Sequence, residues 1–176
     1  MNPTLQTIHS RKSVRQYTGQ PVERDILTTI MQAGMAAPCS RGQCCWSFIA
    51  VDDSAMIEKL NNGLPYAKML ETAKHAIIVL ADLNLAHGGT EAPYWIQDCS
   101  ATAENILLAA ESLGLGACWT AAHPRPERVE FLKTTLELPD HIIPLCVIAI
   151  GHPKDAPKPK NKIDNSKIFW NKWGQK

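Results

Sequence analysis

The sequence has almost no net charge. Its 18 Lys and Arg stand against 17 Asp and Glu, a balance of +1 that argues against bulk affinity for nucleic acid or acidic membranes. Long apolar runs are missing as well: the longest, Ala76 to Ala81, is far short of a membrane span. The opening "MNPTLQTIHSRKSVRQY" lacks the apolar core and small-residue cleavage site of an export signal, so the expected location is the cytoplasm. The six cysteines are then expected to stay reduced, without disulfide staples. No internal repeat is visible.

Several catalytic signatures are missing. There is no GxSxG elbow, no Walker loop, no triad and no carboxylate pair. His9, His75, His87, His123, His141 and His152 show no metal-ligand spacing. Cys39, Cys44 and Cys45 match no CxxC knuckle, so no metal site is expected. "GLGACW" (Gly114–Trp119) resembles a dinucleotide fingerprint but follows a helix instead of a strand, with Trp119 where a glycine belongs; a Rossmann site is rejected. Asp98, near the start of a long helix, reads as favourable dipole chemistry rather than a catalytic acid.

What remains suits one α+β domain spanning 1–176. Asn2-Pro3 caps a short helix through His9, and a second runs from Glu23 to Pro38 with Ile26, Leu27, Ile30, Met31 and Met35 at helical spacing. "WSFIAV" (Trp46–Val51) and "AIIVLAD" (Ala76–Asp82) read as strands, the first followed by a helix capped at Asp53 or Ser54. Tyr94 to Leu113 is the strongest helix, closed by Gly114; its far side, with Leu108 and Ala109, is nearly as apolar as its main face. A short strand is predicted over Gly116–Ala122, a helix from Pro126, and a strand over Ile143–Gly151. After Pro153 a Lys- and Pro-rich tail ends in Phe169, Trp170 and Trp173, large apolar groups that imply docking.

Two basic clusters invite an anion. In an extended "SRKSVRQY", Arg11, Ser13, Arg15 and Tyr17 point to one side, with Arg11 and Arg15 about 13 Å apart at about 3.3 Å per residue. Guanidinium forks and a hydroxyl are partners for phosphate and carbonyl oxygens, although a solvated basic strand has the same pattern. The second cluster, Lys154, Lys158, Lys160 and Lys162, is spaced by prolines that hold the chain extended. By itself it reads equally as a polar tail.

These pieces resemble the FMN-dependent nitroreductase family over nearly the whole chain. "RKSVRQYTGQPVERDILTTIMQAGMAAP" is similar to its opening R-x-S-x-R-x-[FY] and following helix, "APYWIQDCSATAENILLAAESLGLGACWTAAHP" to its central helix and flavin-side turn, and "LELPDHIIPLCVIAIGHPKDAPKPKNKIDNSKIFWNKW" to its last strand and basic tail. The resemblance implies a mixed sheet flanked by helices, a long buried central helix and an intertwined homodimer. Residues 153–176 would wrap the partner. It implies that Arg11, Lys12 and Ser13 hold the phosphate and ribityl chain of FMN, and that Lys158 and Lys160 complete that cradle. Arg15 would approach the pyrimidine edge, where positive charge favours hydride acceptance. Trp119, Thr120, Ala121 and Ala122 would run beside the ring and offer a backbone N–H to N5. Pro38, Cys39, Ser40 and Gly42 would reach the ring from the other subunit. The implied reaction is ping-pong, from NADH or NADPH through flavin N5 to a small-molecule acceptor such as a nitroaromatic or quinone.

One stretch departs from the family. Against the family pattern P-S-x-x-N-x-Q-P-W, "APCSRGQCCW" keeps Pro38, Ser40 and Trp46, but Cys39, Gly42, Cys44 and Cys45 replace its Ser, Asn, Gln and Pro. Three alternatives stay open on the same fold: flavin fragmentation, reductive dehalogenation, and FMN binding without turnover. Gly63–Met69 and His87–Pro93 are the candidate lids. If the thiols face the flavin, an electropositive setting would favour thiolate; otherwise they fill space left by the lost amides.

Overall fold

Two central strands buried on both faces set the architecture. In the computed structural model, which describes residues 1–155 and 157–175, β1 (Trp46–Val51), β2 (His75–Asp82), β3 (Gly116–Ala121) and β4 (Ile142–Gly151) form one sheet in the order β1-β2-β4-β3. All three pairings are antiparallel. The parallel element is a single bridge, Ser13 to Ala117, outside the named strands. Ala156 and Lys176 of the expected C-terminal extension lie outside the described residues.

Side chains alternate along a strand, so β2 divides its apolar residues between two cores. Ile77, Val79 and Ala81 face α2 (Arg24–Met35) and α5 (Tyr94–Ser112), packing with Leu27, Ile30, Ala103 and Ile106. Ala76, Ile78 and Leu80 face α3 (Ser54–Gly63), α4 (Leu70–Ala73) and α6 (Pro126–Thr135), packing with Ile57, Leu60, Leu70 and Leu132. The result is a sheet covered on both faces by helices, with α1 (Pro3–Ser10) lying outside against α5.

Local signals end the helices where the sequence places them. Asn2 and Asp53 accept from the backbone N–H groups of Leu5 and Met56, capping α1 and α3. Helix α5 closes with Gly114 at φ +73°, the Gly114 N–H donating to the Glu111 carbonyl and Leu115 to Ala110. Gly34 lets α2 approach α5: a Cβ there would meet Ile106 at 3.0 Å. Eight α5 residues are buried, whereas Leu108 and Ala109 remain half-exposed in an open apolar groove of about 450 Å³ shared with Ile8, Ala33 and Ala36. Within one chain the far side of the long helix is therefore uncovered.

Candidate functional site

The edge strand β3 organises the site. Its inner edge pairs with β4, so alternate backbone groups face outward. The Ala117 carbonyl accepts the Val14 N–H at 3.0 Å, and the Ala121 carbonyl accepts Arg128 Nη1 at 3.0 Å. By the same alternation Trp119 presents its N–H and carbonyl to the outer edge. The Val14 contact lays the segment Arg11–Tyr17 along the strand and places Ser13 and Arg15 in the open.

Two clefts meet at Arg15. One, of about 860 Å³, is lined by Arg11, Lys12, Ser13 and Arg15 and, across from them, by Lys158, Lys160 and Lys162 of the tail. The other, of about 920 Å³, is lined by Arg15, Cys118, Trp119, Thr120 and Ala121, with Tyr66 and Met69 among its remaining walls. No aspartate or glutamate lines either cleft among the described residues. The tail and N-terminal segment, distant in sequence, are thus brought together. Lys154 joins them through its backbone N–H, which donates to the Gln16 carbonyl at 3.0 Å.

Two acids outside these linings alter the charge available. Arg11 Nε lies 3.1 Å from Glu104 Oε1, and Lys12 Nζ contacts both Glu111 oxygens at 2.9 and 3.2 Å. Glu104 and Glu111 are two turns apart on α5, a periodicity visible in the sequence but without a signal pointing to its partners. Lys12 is largely engaged in this ion pair. Arg15 lies within ion-pair distance of no carboxylate among the described residues.

Several placements differ from the sequence expectation. Tyr17 does not share the face of Arg11, Ser13 and Arg15: it is 3% exposed, and its hydroxyl donates to the Val14 carbonyl at 2.6 Å. The segment leaves the simple extended alternation after Arg15, so that Val14 and Tyr17 both pack inward. Burial pushes the Tyr17 phenol up, the Cys118 thiol adds to this, and Arg15 partly opposes it. Ala122 is 1% exposed and its N–H donates to the Leu145 carbonyl, so it turns away from the cleft in which Trp119, Thr120 and Ala121 stand. Of the two candidate lids, Gly63–Met69 contributes Pro65, Tyr66, Lys68 and Met69 to the cleft wall; His87–Pro93 contributes none. Arg128, from α6, is a lining residue that no sequence pattern flagged.

The loop bearing Pro38, Cys39, Ser40 and Gly42 lies elsewhere. It leads into β1, the sheet edge opposite β3, about 14 Å away at about 4.8 Å per strand. Asp98 anchors it: the carboxylate is 6% exposed, accepts the Ser40 N–H at 3.0 Å, and lies 4.0 Å from Cys45 Sγ. Asp98 is therefore a loop anchor as well as a charge near the α5 N-terminus. Arg41 and Gly42 have φ of 51° and 71°, a left-handed pair that explains how glycine can replace asparagine here: both residue types tolerate that backbone, but glycine carries no amide.

The loop thiols that shift do so in opposite directions, and no cation is the cause: Cys45 is lowered, first by its hydrogen bond with the Cys99 thiol, against desolvation and the Asp98 charge. Cys39 is pushed up to about 11 by its hydrogen bond with the Cys44 thiol, with desolvation and the Asp98 charge adding to the shift. The Cys99 thiol is raised by its hydrogen bond to Cys45 and by burial. All six cysteines are free. Among the described residues no group of three or more His, Cys, Asp or Glu is arranged to hold a metal ion, and no helix is long and apolar enough to cross a membrane.

A helix-covered antiparallel sheet with a basic cleft along its outer strand defines a class that sequence and structure comparison identifies. The profile of the Nitroreductase family matches residues 8–64 and 58–152, and the chain belongs to that family. A protein of Methanothermobacter thermautotrophicus, provisionally named NADH dehydrogenase/NAD(P)H nitroreductase, is 38% identical over 96% of this chain and 87% of its own. The crystal structure of a protein with the same provisional name from Parabacteroides distasonis superposes with a TM-score of 0.92 at 46% identity, covering 98% of this chain and 100% of the other. A provisionally named nitroreductase from Desulfovibrio desulfuricans, solved in complex with FMN, has a TM-score of 0.83 at 26% identity, with 98% and 99% covered.

Proposed function

We propose that this chain is an FMN-dependent oxidoreductase that takes hydride from NADH or NADPH and passes it to a small-molecule acceptor such as a nitroaromatic or quinone. The observation that carries this reading is the pair of clefts meeting at Arg15, one cationic and one walled by Trp119, Tyr66 and Met69. The donor set suits FMN. Arg11, Ser13, Lys158 and Lys160 would hold its phosphate, with Lys12 contributing less because of Glu111, and Arg15 would meet the polar edge of its ring. FMN, when bound, supplies a hydride-accepting N5 that no side chain can provide. The chain's own part is to bind and orient: the outward N–H of Trp119 or Ala121 would face the ring, and Arg15 would stabilise negative charge at the far edge. The proteins named for NAD(P)H nitroreductase activity and the relative solved with FMN support the reading.

The working unit in this reading is a cytoplasmic homodimer of single-domain chains. The uncovered groove at Leu108 and Ala109 would receive the partner, and residues 153–176, ending in exposed Trp170 and Trp173, would wrap it. A partner is also required to bring Pro38, Cys39, Ser40 and Gly42 to the ring, because one chain holds them at the opposite sheet edge. The deciding experiment is the visible spectrum of purified protein before and after anaerobic NADH or NADPH. A flavin spectrum that bleaches is expected; a colourless protein that takes up no added FMN sinks the reading.

A further inference from the structure

The ring-side cleft has a cationic end that FMN binding as proposed above does not use. Arg15, Lys68, Arg128 and Lys154 line this cleft, with no carboxylate among the described residues of its wall. Arg15 also lines the phosphate-side cleft, and Lys154 lies beside the same N-terminal segment, so these two belong to the FMN end. Arg128 is bonded to the carbonyl of Ala121, four residues along β3 from Ala117, and hence about 13 Å from the Val14 contact.

Its guanidinium is held firmly. Nη1 donates to the Ala121 carbonyl, the guanidinium carbon lies 5.4 Å from the centre of the Tyr66 ring, and Nε is covered with no partner among the described residues. Thr120 Oγ1 fixes the other side of this contact by donating to the Tyr66 carbonyl at 3.1 Å. Lys68, on the same segment, donates to the Asn61 carbonyl at 2.9 Å. No carboxylate lies within ion-pair distance of Arg128 or Lys68 among the described residues. A cleft lined by one sign of charge concentrates ligands of the other sign, and a guanidinium stacked on a ring keeps its orientation for them. The exposed ring of Tyr66 adds a flat apolar wall beside that charge.

We propose that Arg128, held on Tyr66 and assisted by Lys68, is a specificity-determining residue that selects substrates carrying a carboxylate or phosphate beside a planar ring. The inference rests on the FMN-oxidoreductase reading and adds the substrate class. The anionic group belongs either to the acceptor or to the nicotinamide donor, and separate arms of one experiment distinguish them.

The acceptor arm compares 4-nitrobenzoate with neutral 4-nitrobenzyl alcohol at saturating NADH. The donor arm compares NADH with phosphate-free 1-benzyl-1,4-dihydronicotinamide at saturating neutral acceptor. In Arg128→Gln, the charged-over-neutral ratio of kcat/KM is expected to fall about tenfold in one arm, the scale of a partly exposed charge-assisted hydrogen bond. Arg128→Lys is expected to recover part of that ratio. Tyr66→Leu, on an exposed segment, is expected to lower it in the same direction. Ratios unchanged in both arms overturn the proposal, as does an equal loss for charged and neutral partners, which marks a structural role alone. A wild type that holds no flavin sinks the functional reading instead. Calorimetric binding of 4-nitrobenzoate to the flavin-free protein then decides the role of Arg128, supporting it if Arg128→Gln weakens binding and overturning it if not.

Discussion

The Val14 N–H donates to the Ala117 carbonyl, and one residue away Gly116 leaves room for the Val14 side chain. A Cβ on Gly116 would lie 2.7 Å from Val14 Cβ. This contact docks the basic segment onto β3. Gly116→Ala is therefore expected to destabilise the fold by about 1–3 kcal/mol through overpacking. It should also displace Ser13 and Arg15, lowering the flavin-to-protein ratio after purification. Denaturant unfolding and absorbance at the flavin band measure the two effects separately.

The two cations on either side of Ser13 are expected to respond differently. Arg15 has no carboxylate partner among the described residues, so Arg15→Gln should weaken FMN binding about tenfold or more, the scale of a lost charge-assisted hydrogen bond. Lys12 is paired with Glu111 in a partly buried site, so Lys12→Met should mainly reduce stability, by about 2 kcal/mol, with a smaller change in FMN affinity. Fluorescence titration with FMN and urea unfolding of both variants check the contrast. Equal losses of FMN affinity would remove the distinction between the two roles.

Alkaline pH should erode stability. Burial raises the folded-state pKa of the Tyr17 phenol and the Cys146 thiol above their ordinary values of 10.0 and 9.0. Their contribution is complete below those unfolded-state values and is lost as pH rises towards the folded ones, because only the unfolded chain then releases the proton. Each group contributes a slope of about 1.4 kcal/mol per pH unit above its ordinary value. Unfolding free energies measured from pH 7 to 11 should fall, and Cys146→Ala should flatten the decline that begins near pH 9.

Cys39 should be a poor nucleophile at neutral pH despite its partial exposure. Its pKa is pushed up to about 11, first by the hydrogen bond with Cys44, so alkylation by iodoacetamide should become appreciable only as pH approaches that value. Cys44→Ala removes the leading cause and should shift the onset of Cys39 labelling downward, as mass spectrometry of the Cys39 peptide would reveal. Rapid Cys39 labelling at pH 7 in the unaltered protein would contradict this account.

Most of the fold was legible because its signals are local. The expected strand Trp46–Val51 has the observed bounds, and the expected Ala76–Asp82 and Ile143–Gly151 each begin one residue inside the observed strand. Helix α5 ends at its glycine as expected, since the Schellman hydrogen bonds need only neighbouring residues. Tyr17 departs from the expected face because period-two alternation assumes a continuous strand, whereas this segment is held by two isolated bridges of opposite sense, Ser13 to Ala117 and Tyr17 to Pro153, with no regular ladder between them. Glu104, Glu111 and Arg128 carried no signal, since their partners are fixed by helix-to-strand packing and not by spacing.

Periodicity and backbone propensity act over a few residues, so the helix caps, the strand pleat that splits β2 between two cores and the two basic segments follow from the order of residues alone. Which cations remain available follows instead from how the folded chain packs. That packing joins Arg11–Arg15 to Lys158 and Lys160, opposes Arg11 and Lys12 with glutamates of α5, and sets Arg128 over the Tyr66 ring. It also holds the "APCSRGQCCW" loop on Asp98 at the sheet edge away from the cleft. Charge acts through space, and the pairing of groups distant in the chain is set by the packing of sheet and helices.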